Sequence, residues 1–183
     1  EQDRIAYQQL SNLPNVLIGA GLEYYSAAKK AVPSVKRTLQ EMGVTQLTTL
    51  EELEQAPTDT EYLLCTTASE TDICLSTQKA LELLKKDDNK GFFLMIEGAK
   101  IDTYGHANSM SGVMKEFQDF DKAVGIVMEF MIKNPDTLLI VTADHETGGL
   151  MDQGGGDYYF TTGSHSNVDV PIFAAGAGTE IFN

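Results

Sequence analysis

The segment GFFLMIEGAKIDTYGHANS, residues 91–109, changes character halfway along its length. Its first half contains five consecutive apolar residues, 92–96, which predict a strand buried on both faces. Its second half brings two carboxylates and an imidazole close together in sequence: Glu97, Asp102 and His106. In a sheet of parallel strands, ligands bind in the crevice beyond the carboxyl ends of the strands. The segment therefore predicts an α/β protein with a functional site at the end of this strand.

The rest of the chain alternates between predicted strands and helices. Further apolar runs predict strands at residues 15–19, 62–66, 137–143 and 170–174, in addition to residues 91–97. Apolar residues at helical spacing predict helices over residues 34–42, 71–86 and 111–133. The glycine-rich segment 148–163 predicts a hairpin or loop. This order predicts a mostly parallel sheet flanked by helices on both faces, in a single α/β domain over residues 1–183.

Composition excludes several classes of partner. The chain has 183 residues, 27 acidic against 13 basic, and a formal charge of −14. This charge argues against nucleic acid or an anionic membrane surface as the main partner. No apolar run approaches the ~20 residues that a membrane-spanning helix needs. The chain begins at Glu1 without methionine, so we expect it to have been processed or excised from a longer one.

All three histidines of the chain lie at edges of predicted strands. His106 follows the third strand, and Asp144 and His145 follow the fourth in TLLIVTADHETGG, residues 137–149. His165 precedes the fifth strand in GSHSNVDVPIFAAG, residues 163–176. A single histidine or aspartate is more often a structural residue than a ligand. Several at the edges of consecutive strands favour a metal cluster.

The residue types indicate which metals would bind. Asp102 and His106 are four positions apart, so on a helix they would face the same way. Carboxylate with imidazole, and without thiolate, suits zinc or another borderline divalent metal. Glu97 has no imidazole beside it in sequence and would suit a hard cation such as magnesium.

Three segments closely resemble the signature segments of alkaline phosphatases: MIEGAKIDTYGHAN, VTADHETGG and GSHSNVDVPIFAAG. NVLIGAG and EFQDFDKAVG extend the resemblance more weakly over nearly the whole chain. The resemblance implies an alkaline-phosphatase-like α/β fold, of which this chain would be the C-terminal half to two-thirds. It further implies that Asp102, His106 and His165 hold one zinc, that Asp144 and His145 bind a second zinc, and that Glu97 binds magnesium.

For the intact protein, the resemblance implies hydrolysis of phosphate monoesters through a phosphoserine intermediate. It also implies a periplasmic or extracellular location and is compatible with a homodimer. The family's nucleophilic serine, its first metal-bridging aspartate and its phosphate-binding arginine belong to a segment that precedes the matched region. The only arginines here, Arg4 and Arg37, lie outside any matching context. We therefore expect no catalytic nucleophile in this chain and no activity from it alone.

Two alternatives stay open at this point. The same metal scaffold could serve another reaction, namely phosphodiester cleavage, sulfate-ester cleavage or phosphomutase chemistry. The chain could also be a metal-binding domain without catalysis. An assay of p-nitrophenyl phosphate turnover with zinc and magnesium present separates a phosphatase from a non-catalytic domain.

Overall fold

The computed structural model describes residues 1–86 and 90–182. Its contacts group the chain into two compact units, Glu1–Met95 and Ile96–Asn183. The organisation as a single domain over residues 1–183 stays a prediction. Of the helices within the described residues, none is both long and apolar enough to cross a membrane.

The first unit combines short strands with helices that follow them in sequence. Its elements are, in order, α1 (Gln2–Ser11), β1 (Val16–Ala20), α2 (Leu22–Ala31), α3 (Pro33–Glu41), β2 (Thr45–Leu47), α4 (Leu50–Glu54), β3 (Leu63–Thr67) and α5 (Ile73–Leu84). The strands form a parallel sheet in the order β1-β3-β2, so β3 is central. All five residues of β3 are buried, as expected for a strand covered on both faces.

Alternate residues of β3 enter two separate apolar clusters. Leu64 packs in a cluster with side chains from α1, α2 and α3, namely Ala6, Leu10, Ala28, Val35 and Leu39. Leu63 and Cys65 belong to a second cluster, with Leu53, Ala56 and Leu83. Because successive side chains of a strand point to opposite faces, the helices cover both sides of this sheet. The predicted α/β class, with helices on both faces of a parallel sheet, is confirmed here.

The second unit has two packed helices and antiparallel strand pairs. Its elements are α6 (Ala99–His106), α7 (Met110–Lys133), β4 (Leu138–Val141), β5 (Glu146–Thr147), β6 (Leu150–Gly154), β7 (Asp157–Phe160), β8 (His165–Ser166), β9 (Phe173–Gly176) and a 3-10 turn (Thr179–Phe182). β4 pairs with β9, β5 with β8, and β6 with β7, all antiparallel. The β6–β7 pair is the hairpin predicted within residues 148–163. Among the described strands, parallel pairing is therefore confined to the three-stranded sheet of the first unit.

The prediction of a strand at residues 91–97 is wrong. Residues 91–98 have neither helix nor strand assignment, and Phe93 and Met95 are 89% and 76% exposed. An apolar run becomes a strand only where a neighbouring strand completes its backbone hydrogen bonds. The strand pairs that the described residues form do not include residues 91–98.

The other predicted strands form close to their predicted positions. β1, β3 and β4 lie within a residue or two of the ranges read from the sequence. The strand predicted at residues 170–174 begins later, at Phe173. Pro171 lies just before it and has no N–H to give to a ladder, while its carbonyl accepts a 3.0 Å hydrogen bond from the Thr142 hydroxyl.

Candidate metal centre

Helix α6 presents Asp102 and His106 on one face, because they are four positions apart. His106 Nε2 lies 3.4 Å from Asp102 Oδ1. The other ring nitrogen, His106 Nδ1, lies 2.8 Å from the carbonyl oxygen of Gly163. A carbonyl only accepts hydrogen bonds, so Nδ1 carries the proton of the neutral ring and Nε2 carries a lone pair. The backbone of residue 163 thereby directs a metal-binding nitrogen of His106 toward Asp102.

His165, in the short strand β8, completes a group of three. Its Nε2 lies 3.0 Å from His106 Nε2 and 3.4 Å from Asp102 Oδ1. Among the described residues, Asp102, His106 and His165 are the group whose ligand atoms approach closely enough to hold a metal ion. Two imidazole nitrogens so close together need either a shared proton or a cation between them.

The dimensions of this triangle suit zinc. Ligand atoms about 2.0–2.1 Å from a tetrahedral zinc ion lie about 3.3–3.4 Å from one another. The three edges observed here measure 3.0, 3.4 and 3.4 Å. One carboxylate and two imidazoles also match the ligand types of catalytic zinc sites. The three side chains are between 41% and 49% exposed, so an ion from solution can reach them.

Asp144 and His145 lie beside this group as a pair. Asp144 Oδ2 is 3.3 Å from His145 Nε2, which is also the separation of two ligands on one zinc ion. The His145 ring stacks on the His165 ring, with centroids 3.6 Å apart and 22° between the planes. The Asp144 side chain is 87% exposed. The pair provides two candidate ligands for a second zinc ion, one fewer than the three protein ligands of a typical catalytic zinc site.

Glu97 is not part of the group formed by Asp102, His106 and His165. It is exposed and lies next to Gly98, which precedes the first residue of α6. A Cβ atom on Gly98 would be 3.0 Å from the ring of Phe120 in α7, so the backbone after Glu97 runs close against that helix. Binding of magnesium by Glu97 stays a prediction.

Sequence reasoning missed Thr147, which contacts this centre directly. Its hydroxyl donates a 2.6 Å hydrogen bond to Asp102 Oδ1 and lies 3.2 Å from His145 Nδ1. This hydrogen bond, and then the charges of the neighbouring imidazoles, hold the pKa of the Asp102 carboxyl below its ordinary value despite partial desolvation. Spacing in the sequence places residues 145 and 147 on one face of an extended segment, which relates Thr147 to His145 but not to Asp102.

Glu146 lies on the opposite face of β5 and ties the ligand-bearing strands together. Its carboxylate accepts hydrogen bonds from the backbone N–H of Gly149, at 2.8 Å, and from the hydroxyl of Ser166. Ser166 is its cross-strand neighbour, and Thr147 is the cross-strand neighbour of His165. On one face of this two-residue ladder, the hydrogen bond between Glu146 and Ser166 joins the strands. On the other face, Thr147 and His165 lie at the metal centre.

Two glycines allow α6 to approach β5. A Cβ atom on Gly105 would come within 3.0 Å of the carbonyl oxygen of Thr147, and one on Gly148 within 3.0 Å of the carbonyl oxygen of Gly105. Gly148 also has φ of +97°, which side-chain-bearing residues rarely adopt. This close backbone approach brings the Thr147 hydroxyl within reach of Asp102.

Comparisons with known proteins give a consistent result. The family model for alkaline phosphatase matches residues 55–173. Alkaline phosphatase 3 of Bacillus subtilis (strain 168) is 47% identical over 73 residues, which cover 40% of this chain and 16% of that protein. The structure of alkaline phosphatase from the Antarctic bacterium TAB5 matches with a TM-score of 0.85 and 33% identity, over 98% of this chain and 58% of that one. A TAB5 alkaline phosphatase mutant with Mg bound in its M3 site matches with a TM-score of 0.80 and 30% identity, over 98% and 59%.

The chain spans less than two thirds of the length of these relatives. The family model, in contrast, matches more than half of the chain itself, including α6, α7 and β5. The chain belongs to the alkaline phosphatase family.

Proposed function

We propose that this chain supplies metal ligands to an enzyme that hydrolyses phosphate monoesters. The observation that carries the proposal is the triangle of Asp102 Oδ1, His106 Nε2 and His165 Nε2, with edges of 3.0 to 3.4 Å. These are the separations expected of three ligands on one tetrahedral zinc ion. Membership of the alkaline phosphatase family supports the choice of reaction.

The proposed sites follow from the ligand types. Asp102, His106 and His165 would hold one zinc ion, and Asp144 with His145 would provide two ligands of a second. The 3.3 Å separation of Asp144 Oδ2 and His145 Nε2 supports the second assignment. The exposed carboxylate of Glu97 would bind magnesium, a cation that prefers oxygen ligands.

The negative charge of the chain opposes the binding of phosphate unless cations are present. With a formal charge of −14 and several carboxylates at the site, the protein alone would repel a phosphate dianion. When bound, divalent cations reverse the local field and activate an attacking hydroxyl group or water.

The chain's own residues hold the ligands in position. His106 is oriented by its proton on Nδ1, which donates to Gly163. His165 is fixed from two sides, by stacking on His145 and by the β5–β8 ladder. Such outer contacts orient ligands and raise metal affinity.

The substrate would be a phosphate monoester. A site that binds mainly the phosphoryl group discriminates little between alcohols. A periplasmic or extracellular location and a homodimer are further proposals, and they rest on family resemblance alone.

Two measurements on the purified 183-residue chain test the proposal. Calorimetric titration with zinc should show binding that is lost in His165→Ala and retained at the first site in His145→Ala. A parallel assay with p-nitrophenyl phosphate, zinc and magnesium should show no turnover, because no serine here matches the family's nucleophile. Zinc binding that survives both Asp102→Ala and His165→Ala would refute the proposed site. Turnover that His165→Ala abolishes would show that a nucleophile is present in this chain.

A further inference from the structure

Thr147 lies where the two proposed zinc sites meet. It is in β5, opposite His165 in the β5–β8 ladder. Its hydroxyl oxygen is 2.6 Å from Asp102 Oδ1, a ligand of the first site, and 3.2 Å from His145 Nδ1, a ligand of the second. One side chain thus contacts a ligand of each site.

The number of available protons determines the direction of these two hydrogen bonds. A threonine hydroxyl has one proton to donate and two lone pairs, whereas an ionised carboxylate only accepts. The short contact to Asp102 therefore uses the Thr147 proton. The contact to His145 can then be a hydrogen bond only if His145 Nδ1 carries a proton and donates it to the Thr147 oxygen.

This arrangement favours one form of the His145 ring. A neutral imidazole has a proton on one nitrogen and a lone pair on the other. With the proton on Nδ1, the lone pair is on Nε2. That nitrogen is the one that lies 3.3 Å from Asp144 Oδ2, in the proposed second zinc site. Without a metal ion the Asp144 carboxylate favours a proton on Nε2, so Asp144 and Thr147 compete for the tautomer of this ring, and Thr147 is the nearer partner at 3.2 Å. The same pattern holds for His106, where the Gly163 carbonyl selects the proton on Nδ1.

The surroundings of Thr147 keep its hydroxyl in place. A β-branched side chain has restricted χ1 rotation. A Cβ atom on Gly105 would lie 3.1 Å from the Thr147 methyl carbon, so helix α6 lies close to the methyl group. The ladder with His165 fixes the backbone. The restricted χ1 rotation and the fixed backbone together limit the directions in which the Thr147 hydroxyl can point.

We propose that Thr147 is a positioning residue that orients ligands of both zinc sites, donating to Asp102 and accepting from His145 Nδ1 so that His145 Nε2 is left to bind metal. The tautomer is a property of the metal-free chain. Only its consequence for zinc binding rests on the proposed function.

Nitrogen NMR of the histidine rings in the metal-free, full 183-residue chain tests the tautomer directly. The measurement is made in alkaline buffer, and the nitrogen shifts themselves report whether each ring carries one proton or two. We expect His145 to carry its proton on Nδ1 in the unchanged chain and in Thr147→Ser. Thr147→Val removes the hydroxyl at nearly constant volume and should shift His145 toward the Nε2-protonated form. His106 should keep its proton on Nδ1 in all three and serves as the internal reference.

Zinc titration of the same proteins measures the consequence. Loss of an outer hydrogen bond to a metal ligand typically lowers affinity about 10–100-fold, and we expect such a loss in Thr147→Val. Thr147→Ser should recover most of it. Thr179→Val is the matched control, because the Thr179 hydroxyl donates to the Gly176 carbonyl, away from the metal-ligand residues. It should bind zinc as the unchanged chain does.

The outcomes separate this inference from the proposed function. A His145 protonated on Nε2 in the unchanged chain overturns the inference, whatever the variants do and even if Thr147→Val fails to fold. Thr147→Val with unchanged spectrum and affinity also overturns it. A chain with the expected tautomer, lost in Thr147→Val, that binds no zinc supports the inference and contradicts the proposed function instead.

Discussion

The aromatic ring of Tyr104 in α6 lies directly over Gly112 in α7. A Cβ atom built on Gly112 would be 2.2 Å from ring carbon Cδ1 of Tyr104, closer than any real contact allows. Gly112 is buried, and its backbone N–H donates to the hydroxyl of Ser109, which caps the helix. This contact allows α6 to pack tightly against the start of α7.

We therefore expect Gly112→Ala to destabilise the second unit. The added methyl group must displace the Tyr104 ring, and overpacking of this kind costs about 1–3 kcal/mol. Gly125→Ala is the matched control in the same helix, since a Cβ atom there meets nothing within 4 Å. It should leave stability unchanged or raise it by up to about 1 kcal/mol, because alanine favours a helix more than glycine. Urea unfolding followed by circular dichroism compares the variants. Equal effects of the two substitutions would contradict the packing argument.

Gly105→Ala should weaken zinc binding more than it weakens folding. The new methyl group would lie 3.0 Å from the Thr147 carbonyl oxygen and push α6 away from β5. The hydrogen bond between Thr147 and Asp102 should lengthen, which separates the ligands on α6 from His165. Calorimetric zinc titration should show lower affinity, with Gly125→Ala again as the control. Unchanged affinity would mean that the site adapts to the displacement.

The local patterns that the sequence carries explain which parts of the fold were predictable. β1, β3 and α7 follow from apolar runs and helical spacing, which depend only on neighbouring residues. Residues 91–97 show the limit, because the same kind of run is not part of any strand pair that the described residues form. The two-residue strands β5 and β8 are too short for any periodic pattern to reveal.

The candidate site was also predictable only in part. The sequence predicts Asp102, His106 and His165 as ligands from their motif segments, and the structure brings their ligand atoms within 4.8 Å of one another. That these residues bind metal stays a prediction. The contact between Thr147 and Asp102 joins residues 45 positions apart. A hydroxyl contact of this kind depends on how α6 packs against β5, which the spacing of residues in the sequence does not specify.

Thr49→Ala should destabilise the first unit. The Thr49 hydroxyl accepts a 3.1 Å hydrogen bond from the backbone N–H of Glu52, and the Glu52 carboxylate accepts in return from the N–H of Thr49. Loss of such a cap costs about 0.5–2 kcal/mol. Thr49→Ser keeps the hydroxyl and should retain most of the stability. Urea unfolding measures both, and an equal loss in the two variants would argue against capping by the hydroxyl.

The Glu52 carboxylate should make stability depend on pH in the acidic range. Its hydrogen bonds, chiefly from the N–H of Thr48 at 2.7 Å, lower the pKa of Glu52 in the folded state. Because the folded pKa is the lower one, the stabilisation is present above the ordinary glutamate pKa of about 4.3 and is lost as the pH falls through the folded value. The stability difference between the unchanged chain and Glu52→Gln should therefore shrink on acidification. Thr49→Ala retains the bonds from Thr48 and should keep the pH dependence. A difference that is constant with pH would refute this role.

Glu97→Gln should separate magnesium from zinc. Glu97 lies outside the triangle of Asp102, His106 and His165, whose described hydrogen bonds join His106 to Gly163 and Asp102 to Thr147. Its carboxylate is exposed at the entry to α6, where the backbone at Gly98 runs against Phe120. Replacing the carboxylate by a neutral amide removes the charge that a hard cation prefers and keeps the size of the side chain.

The zinc affinity of the 183-residue chain should stay unchanged in Glu97→Gln. In a longer polypeptide that also supplies the nucleophile, stimulation of phosphatase activity by magnesium should fall while zinc content is retained. Asp102→Asn is the matched comparison, and it should lower the zinc affinity that Glu97→Gln leaves unchanged. An equal loss of both metals in Glu97→Gln would show that Glu97 has no role separate from the zinc ligands.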